Sequence, residues 1–154
     1  MDALASIVGE EAEAVKRFID LLREEQKSLG DGAIDTLADL IERKTLVAGQ
    51  LTNLAALRNA RLQASGHAPD RAGVEAWLGA HPDDRETRNA WNEVLTQTAE
   101  ARELNRVNGE LIKMRMQHNT NALEALLGAS RPLSLYGPDG QTSPLGNRRI
   151  NDAA

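Results

Sequence analysis

The chain has no cysteine, and its 154 residues include only four aromatics: Phe18, Trp77, Trp91 and Tyr136. Without cysteine there is no disulfide scaffold, no thiolate metal site and no cysteine nucleophile. The same absence is compatible with the cytosol. Proline is missing between Met1 and Ala68, so nothing in the first 68 residues forces a helix to break. No apolar run approaches 18 residues, and no membrane insertion is expected. The opening stretch MDALASIVGEEAEAVKRF lacks a basic segment ahead of an apolar one, so a signal peptide is not expected either. The net charge is −5, with Lys and Arg mixed among Asp and Glu. No basic patch with interleaved aromatics exists, which disfavours nucleic acid as a partner.

What remains is rich in Leu and Ala. Hydrophobic residues make up 41% of the chain, and the apolar positions favour helix over strand. Leu4, Val8, Glu11, Val15, Phe18, Leu22, Glu25 and Leu29 follow alternating steps of four and three. That is a heptad seam with two acidic interruptions, and it predicts a helix over about residues 3–29. Ile7, Ala14 and Leu21 widen the stripe. The Gly30-Asp31-Gly32 stretch stops it. A second seam of Leu37, Leu40, Ile41, Lys44, Val47, Leu51, Leu54, Leu57, Arg58 and Leu62 predicts a helix over about 35–64, antiparallel to the first. Lys44 and Arg58 are expected to pack their stems and snorkel their charges outward; a specific charged contact with a partner is the alternative. Residues 65–70 read as a loop. A short helix over about 71–78 closes at Gly79, with Trp77 and Leu78 tucked against the hairpin.

A third helix is expected over about 83–127, N-capped by Asp83 with Glu86 as its capping-box partner. Some 44 residues make a rod of roughly 65 Å, which needs partners along its length. Its first half is ordinarily amphipathic. In its second half Asn105, Asn108, His118, Asn119 and Asn121 crowd positions that elsewhere carry Leu, and Gly109 sits mid-helix at a cost of about 1 kcal/mol against Ala. One reading is register-fixing Asn with a Gly that permits close helix approach. The other is a shallow polar groove where another chain docks. After Gly128 the breakers Pro132, Gly137, Pro138, Gly140, Pro144 and Gly146 mark a flexible tail, whose few large apolar residues either fold back onto the helices or form a short binding element. The expected architecture is therefore all-α: an elongated antiparallel three-helix bundle or coiled coil over 1–128, with a short connector helix and a flexible tail over 129–154.

Chemistry is not legible. His67, His81 and His118 lack partners at metal-ligand spacing. Adjacent pairs such as Glu10-Glu11, Glu24-Glu25 and Asp83-Asp84 do not face each other on a helix. No catalytic residue, metal or cofactor is expected, and the chain is not expected to be an enzyme.

The C-terminal third carries a resemblance. LNRVNGELI at 104–112, ALEALLG at 122–128 and LYGPDGQ at 135–141 closely resemble FlgN-type flagellar export chaperones. FIDLLREEQKSL at 18–29 and IDTLADLIERKTLVAGQLTNLAALRNARL at 34–62 look like that family's first two helices. The resemblance implies a cytoplasmic chaperone of flagellar type III export. It would bind the C-terminal helical region of hook-filament junction proteins of the FlgK and FlgL types, and engage an FlhA-type export gate component. Asn108, Gly109, Leu111 and Ile112 match the family's NG-L-I element. With Asn105, Arg115, Leu123 and Leu126 they form the expected client surface. Leu135, Tyr136, Gly137 and Gly140 match its LYG-x-x-G element and form the expected tail docking element. The competing class is a structural coiled coil or assembly adaptor without an export role, and a weaker one is a component of a secretion apparatus. An exposed apolar groove also carries an expectation of weak self-association.

Overall fold

A computed structural model of the chain describes residues 3–128. Four α-helices and one 3-10 turn follow in order: α1 (Ala3–Asp31), the turn Ile34–Thr36, α2 (Leu37–Ala64), α3 (Arg71–Ala80) and α4 (Arg85–Leu126). No strand occurs among the described residues, as the all-α reading requires. The chain divides into two units, Met1–Asn108 and Gly109–Ala154. The expected tail over 129–154 lies outside the described residues.

In the first unit α1 supplies the most continuous buried stripe. Leu4, Val8, Glu11, Val15, Leu22, Glu25 and Leu29 are all buried, and Ala14 and Leu21 widen the stripe as expected. Gly32 adopts φ +74° just after α1, a conformation that costs a residue with a Cβ. It starts the reversal into α2. Thr36 Oγ1 closes the turn against the Ala33 carbonyl at 2.9 Å.

At one end of the unit Leu4, Val8 and Ala12 of α1 meet Leu62 of α2, Val74, Trp77 and Leu78 of α3, and Trp91 and Val94 of α4. Further along, Val15, Ile19 and Leu22 pack with Ala101, supported by Phe18, Leu51 and Leu104. Leu21, Leu40 and Val47 close the hairpin end.

Two expectations about α2 fail. Ile41 and Leu57 are exposed, not seam residues. Lys44 and Arg58 do not snorkel outward. Arg58 Nη1 donates to Glu11 Oε2 at 2.6 Å, and Lys44 Nζ donates to both Glu25 oxygens at 3.0 and 3.1 Å. The two acidic interruptions of α1 thus meet the two basic interruptions of α2. Each pair is two heptads apart on its own helix, so the match holds in one antiparallel register. A slip of one heptad would set Glu25 opposite Leu37 or Leu51 and strand a buried charge. The pairs fix which residues face each other, while the aliphatic contacts around them supply most of the burial.

The helix starts near α3 and α4 also differ in detail. Asp70 caps α3 by accepting from Gly73 N at 2.8 Å. A Cβ at Gly73 would lie 1.7 Å from the Ala68 carbonyl oxygen, so the loop closes this tightly only over glycine. Helix α3 runs past Gly79 to Ala80. The cap of α4 is Asp84, not Asp83, and its partner is Thr87, not Glu86. Thr87 N donates to Asp84 Oδ1 at 3.0 Å and Thr87 Oγ1 to Oδ2 at 2.7 Å. The box is shifted by one residue because Thr87, not Glu86, is the buried one.

Candidate functional site

The α4 helix is long because nothing in its sequence stops it: no proline occurs between Asp83 and Ser130. Its burial pattern changes at Asn108. Thr87, Trp91, Val94, Ala101 and Asn108 are its buried residues, and none follows. From Gly109 to Gly128 every residue is exposed or half-buried. The change of character expected between the two halves of α4 therefore falls at Asn108.

Asn108 is 1% exposed. Its Nδ2 donates to the Leu22 carbonyl and to Glu25 Oε1, both at 2.8 Å. Since Glu25 also receives Lys44, one polar node joins α1, α2 and α4. A buried amide with both donor contacts made specifies register, because any other alignment leaves it unpaired. This corresponds to the register-fixing reading of the residue. Its side chain offers almost no surface to a client.

The other candidate residues fall differently. Asn105 is exposed on the first unit. In the second unit Gly109, Leu123 and Leu126 are exposed, Ile112 is 42% exposed, and Leu111 and Arg115 are half-buried. A Cβ at Gly109 would meet nothing within 4 Å. Leu135, Tyr136, Gly137 and Gly140 lie outside the described residues.

Three exposed apolar residues were missed in the sequence: Met114, Met116 and Leu127. Ile112, Met116, Leu123 and Leu127 are separated by four, seven and four residues, with Asn119 between, so they lie along one helical face. The spacing stands in IKMRMQHNTNALEALLG, residues 112–128, where Asn and His residues are interspersed with it. Six large apolar side chains exposed within residues 112–127 exceed the scatter of single exposed hydrophobics normal on a surface. Methionine suits such a face because its flexible thioether adapts to different partners. Arg115 and Asn119 interrupt or border it with polar groups. This arrangement can receive the apolar side of an amphipathic helix.

The histidines are spoken for or isolated. His81 stacks on Trp77 with ring centroids 3.9 Å apart, and its Nδ1 lies 2.8 Å from the Trp77 carbonyl oxygen. Among the described residues no three His, Asp or Glu side chains gather where a metal ion could be held, and no helix is long and apolar enough to cross a membrane.

Comparison with known proteins gives a consistent result. The family described as FlgN protein matches residues 1–144. The chain is similar to the flagella synthesis protein FlgN of Escherichia coli strain K12, 27% identical over 145 residues, covering 93% of this chain and 92% of that one. It is similar to the Yersinia enterocolitica protein of the same name, 29% identical over 142 residues, covering 91% and 89%. A shorter match to the Salmonella typhimurium protein is 42% identical over 53 residues, covering 34% and 37%. No solved structure matches the chain.

Proposed function

The chain belongs to the FlgN family, and from that premise we propose that it is a flagellar export chaperone for hook-filament junction proteins. The relatives' names tie them to flagella synthesis. The observation that carries the finer reading is the exposed apolar face of α4 over residues 112–127. An amphipathic client segment left exposed would assemble or aggregate early. Laying its apolar side on Ile112, Met116, Leu123 and Leu126 covers that side. Release must follow, so the contact has to stay modest. Arg115 and Asn119 limit its apolar area.

In this reading the clients are the C-terminal helical regions of junction proteins of the FlgK and FlgL types. The chaperone keeps them unassembled in the cytoplasm and delivers them to the export apparatus through an FlhA-type gate component. Asn105, Gly109, Leu111, Ile112, Arg115, Leu123 and Leu126 contribute to the client surface. Asn108 acts from inside, by holding α4 in register. Leu135, Tyr136, Gly137 and Gly140 contribute to client or gate docking. The chain performs no catalysis.

The test is capture of a purified junction-protein C-terminal fragment, read by sedimentation. The expected product is a complex of one chaperone to one client. An Ile112→Asp/Leu126→Asp variant is expected to lose the fragment while keeping its helicity and unfolding midpoint. Wild-type capture by that variant refutes the proposed surface. Absence of any complex with the unmodified chain refutes the chaperone reading.

A further inference from the structure

The apolar face of α4 over residues 112–127 leads directly into a second apolar cluster of the same chain. Gly128 ends the helix at φ +92°, its N donating to the Ala125 carbonyl at 3.4 Å. A left-handed glycine after the last turn takes the chain out of the helix direction. In the sequence that continues, Leu133, Leu135 and Tyr136 are the only large apolar residues between Gly128 and Leu145. Pro132 precedes them and favours extended backbone at Arg131.

Length fixes how far back these residues reach. An extended chain advances about 3.3–3.6 Å per residue, and a helix rises about 1.5 Å. Leu133 stands five residues past Gly128, and Leu135 and Tyr136 seven and eight. Their reach is therefore about 17 Å and about 25 Å. After a sideways step of roughly 8–10 Å between packed elements, Leu133 comes level with about residue 118 of α4, and Leu135 and Tyr136 with about residues 111–114. Ile112 and Met116, both exposed, lie in that stretch. An extended segment turns Leu133 and Leu135 to one side, about 6.6 Å apart; Ile112 and Met116 are one helical turn apart, about 6 Å. Charge agrees with this path. Arg131 is the only charged residue between Glu124 and Asp139, and Glu124 is half-buried at the border of the face.

We propose that residues 131–136 of the same chain occupy the client face when no client is present. Leu133 seats beside Met116, Leu135 and Tyr136 seat beside Met116 and Ile112, and Arg131 meets Glu124. A client displaces them. The tether supplies the segment at an effective concentration of about millimolar, so a contact of three apolar side chains holds it there part of the time. Client affinity falls by the fraction of chains left open. The cover shields the face between clients without closing it. This regulation rests on the client reading, which names the competitor.

The first arm of the test leaves the client out. The full chain has no cysteine, so Met116→Cys with Leu133→Cys carries a single thiol pair. Met114 and Met116 are almost equally exposed, at 65% and 62%, but point to opposite sides of the helix. Met114→Cys with Leu133→Cys is therefore the control on the same tether. Oxidation in dilute solution, read by mass spectrometry after digestion, is expected to close the Met116 pair about tenfold faster than the Met114 pair. Equal rates overturn the proposal. Linkage mainly between molecules in the Met116 variant also overturns it, and assigns the face to a second copy. The second arm replaces Leu133, Leu135 and Tyr136 together with Ser in the full chain. This variant is expected to keep the circular dichroism of the unmodified chain. It should bind a junction-protein C-terminal fragment about three- to tenfold more tightly by titration calorimetry. Unchanged or weaker binding overturns the proposal. If the unmodified chain binds no fragment, the chaperone reading fails by itself, and the two oxidation rates alone decide whether the tail covers the face.

Discussion

Arg58→Ala should cost the fold about 3 kcal/mol at pH 7, and the loss should shrink as the pH is lowered. The pair it breaks is well buried: the Glu11 and Arg58 side chains are 5% and 13% exposed. Removing one partner of such a pair costs about 3–5 kcal/mol, because the other charge is left in an apolar setting. Arg58 also lies over the Trp91 ring at 5.2 Å, worth about 1 kcal/mol more in a sheltered site. One relief acts against this. The stranded Glu11 carboxyl can take up a proton. Burial already raises its pKa above the ordinary carboxylate value, and Arg58 opposes that rise. Oε1 of the same carboxyl accepts no hydrogen bond among the described residues.

Without Arg58 the pKa rises further. A raised carboxyl pKa means that the folded chain holds a proton over a pH interval in which the unfolded chain has lost it. Stability then falls as pH rises through that interval, and the penalty is complete above the folded value. The variant should therefore approach the unmodified chain as pH falls between their two folded values, by up to about 1.4 kcal/mol per unit. Urea unfolding followed by circular dichroism from pH 7 to pH 5 measures this. Adding Glu11→Gln should flatten the dependence. Glu11→Leu with Arg58→Met should restore most of the stability. A loss below about 1 kcal/mol, or a loss that does not change with pH, refutes the view that a buried charge is being stranded.

Other outcomes follow from single contacts. Asn108→Asp removes the amide donor and sets a carboxylate beside Glu25, and should cost about 3 kcal/mol or more by urea unfolding. Gly73→Ala drives a Cβ into the Ala68 carbonyl, so it should lower the midpoint by several degrees. Gly79→Ala, with open space around its Cβ, should not lower it. Gly109→Ala should stabilise the free chain by up to about 1 kcal/mol, and should weaken client capture if a client backbone approaches that position.

The α1 seam was legible because its period is strict and Leu4, Val8, Val15, Leu22 and Leu29 leave little choice of face. The same reading overreached on α2, where Leu spacing alone cannot separate Leu54, which is half-buried, from Leu57, which is exposed. The deciding information lay in the other helix. Glu11 and Glu25 look like flaws in one seam, Lys44 and Arg58 like flaws in another. Only their equal spacing, compared across the two, shows that each flaw repairs the other. The cap at Asp84 was missed because two adjacent aspartates offer the same chemistry one residue apart. The choice is made by which of Glu86 and Thr87 packs inward, which is a tertiary matter. Gly73 gave no signal beyond a glycine in a short helix, since its neighbour Ala68 is brought close by the loop.

Asn108 and Gly109 are adjacent in sequence and opposite in circumstance. Asn108 makes two donor contacts and is buried; Gly109 has an open Cβ direction and is exposed. A helix that only had to fold would keep the first and replace the second with alanine. The asymmetry argues that selection on α4 changes between the two positions. Up to Asn108 a substitution is read by the bundle, through Trp91, Val94, Ala101 and the Glu25 node, and its effect appears in unfolding. Beyond it, no side chain from Gly109 to Leu127 is buried, so an exchange such as Leu123→Asp removes little from the folded chain and should appear in association. The same mutational scan, scored once by unfolding and once by client capture, should therefore yield two profiles along α4 that cross at this pair. A single shared profile would mean that the apolar face of residues 112–127 is core, covered in a way the exposed side chains do not reveal.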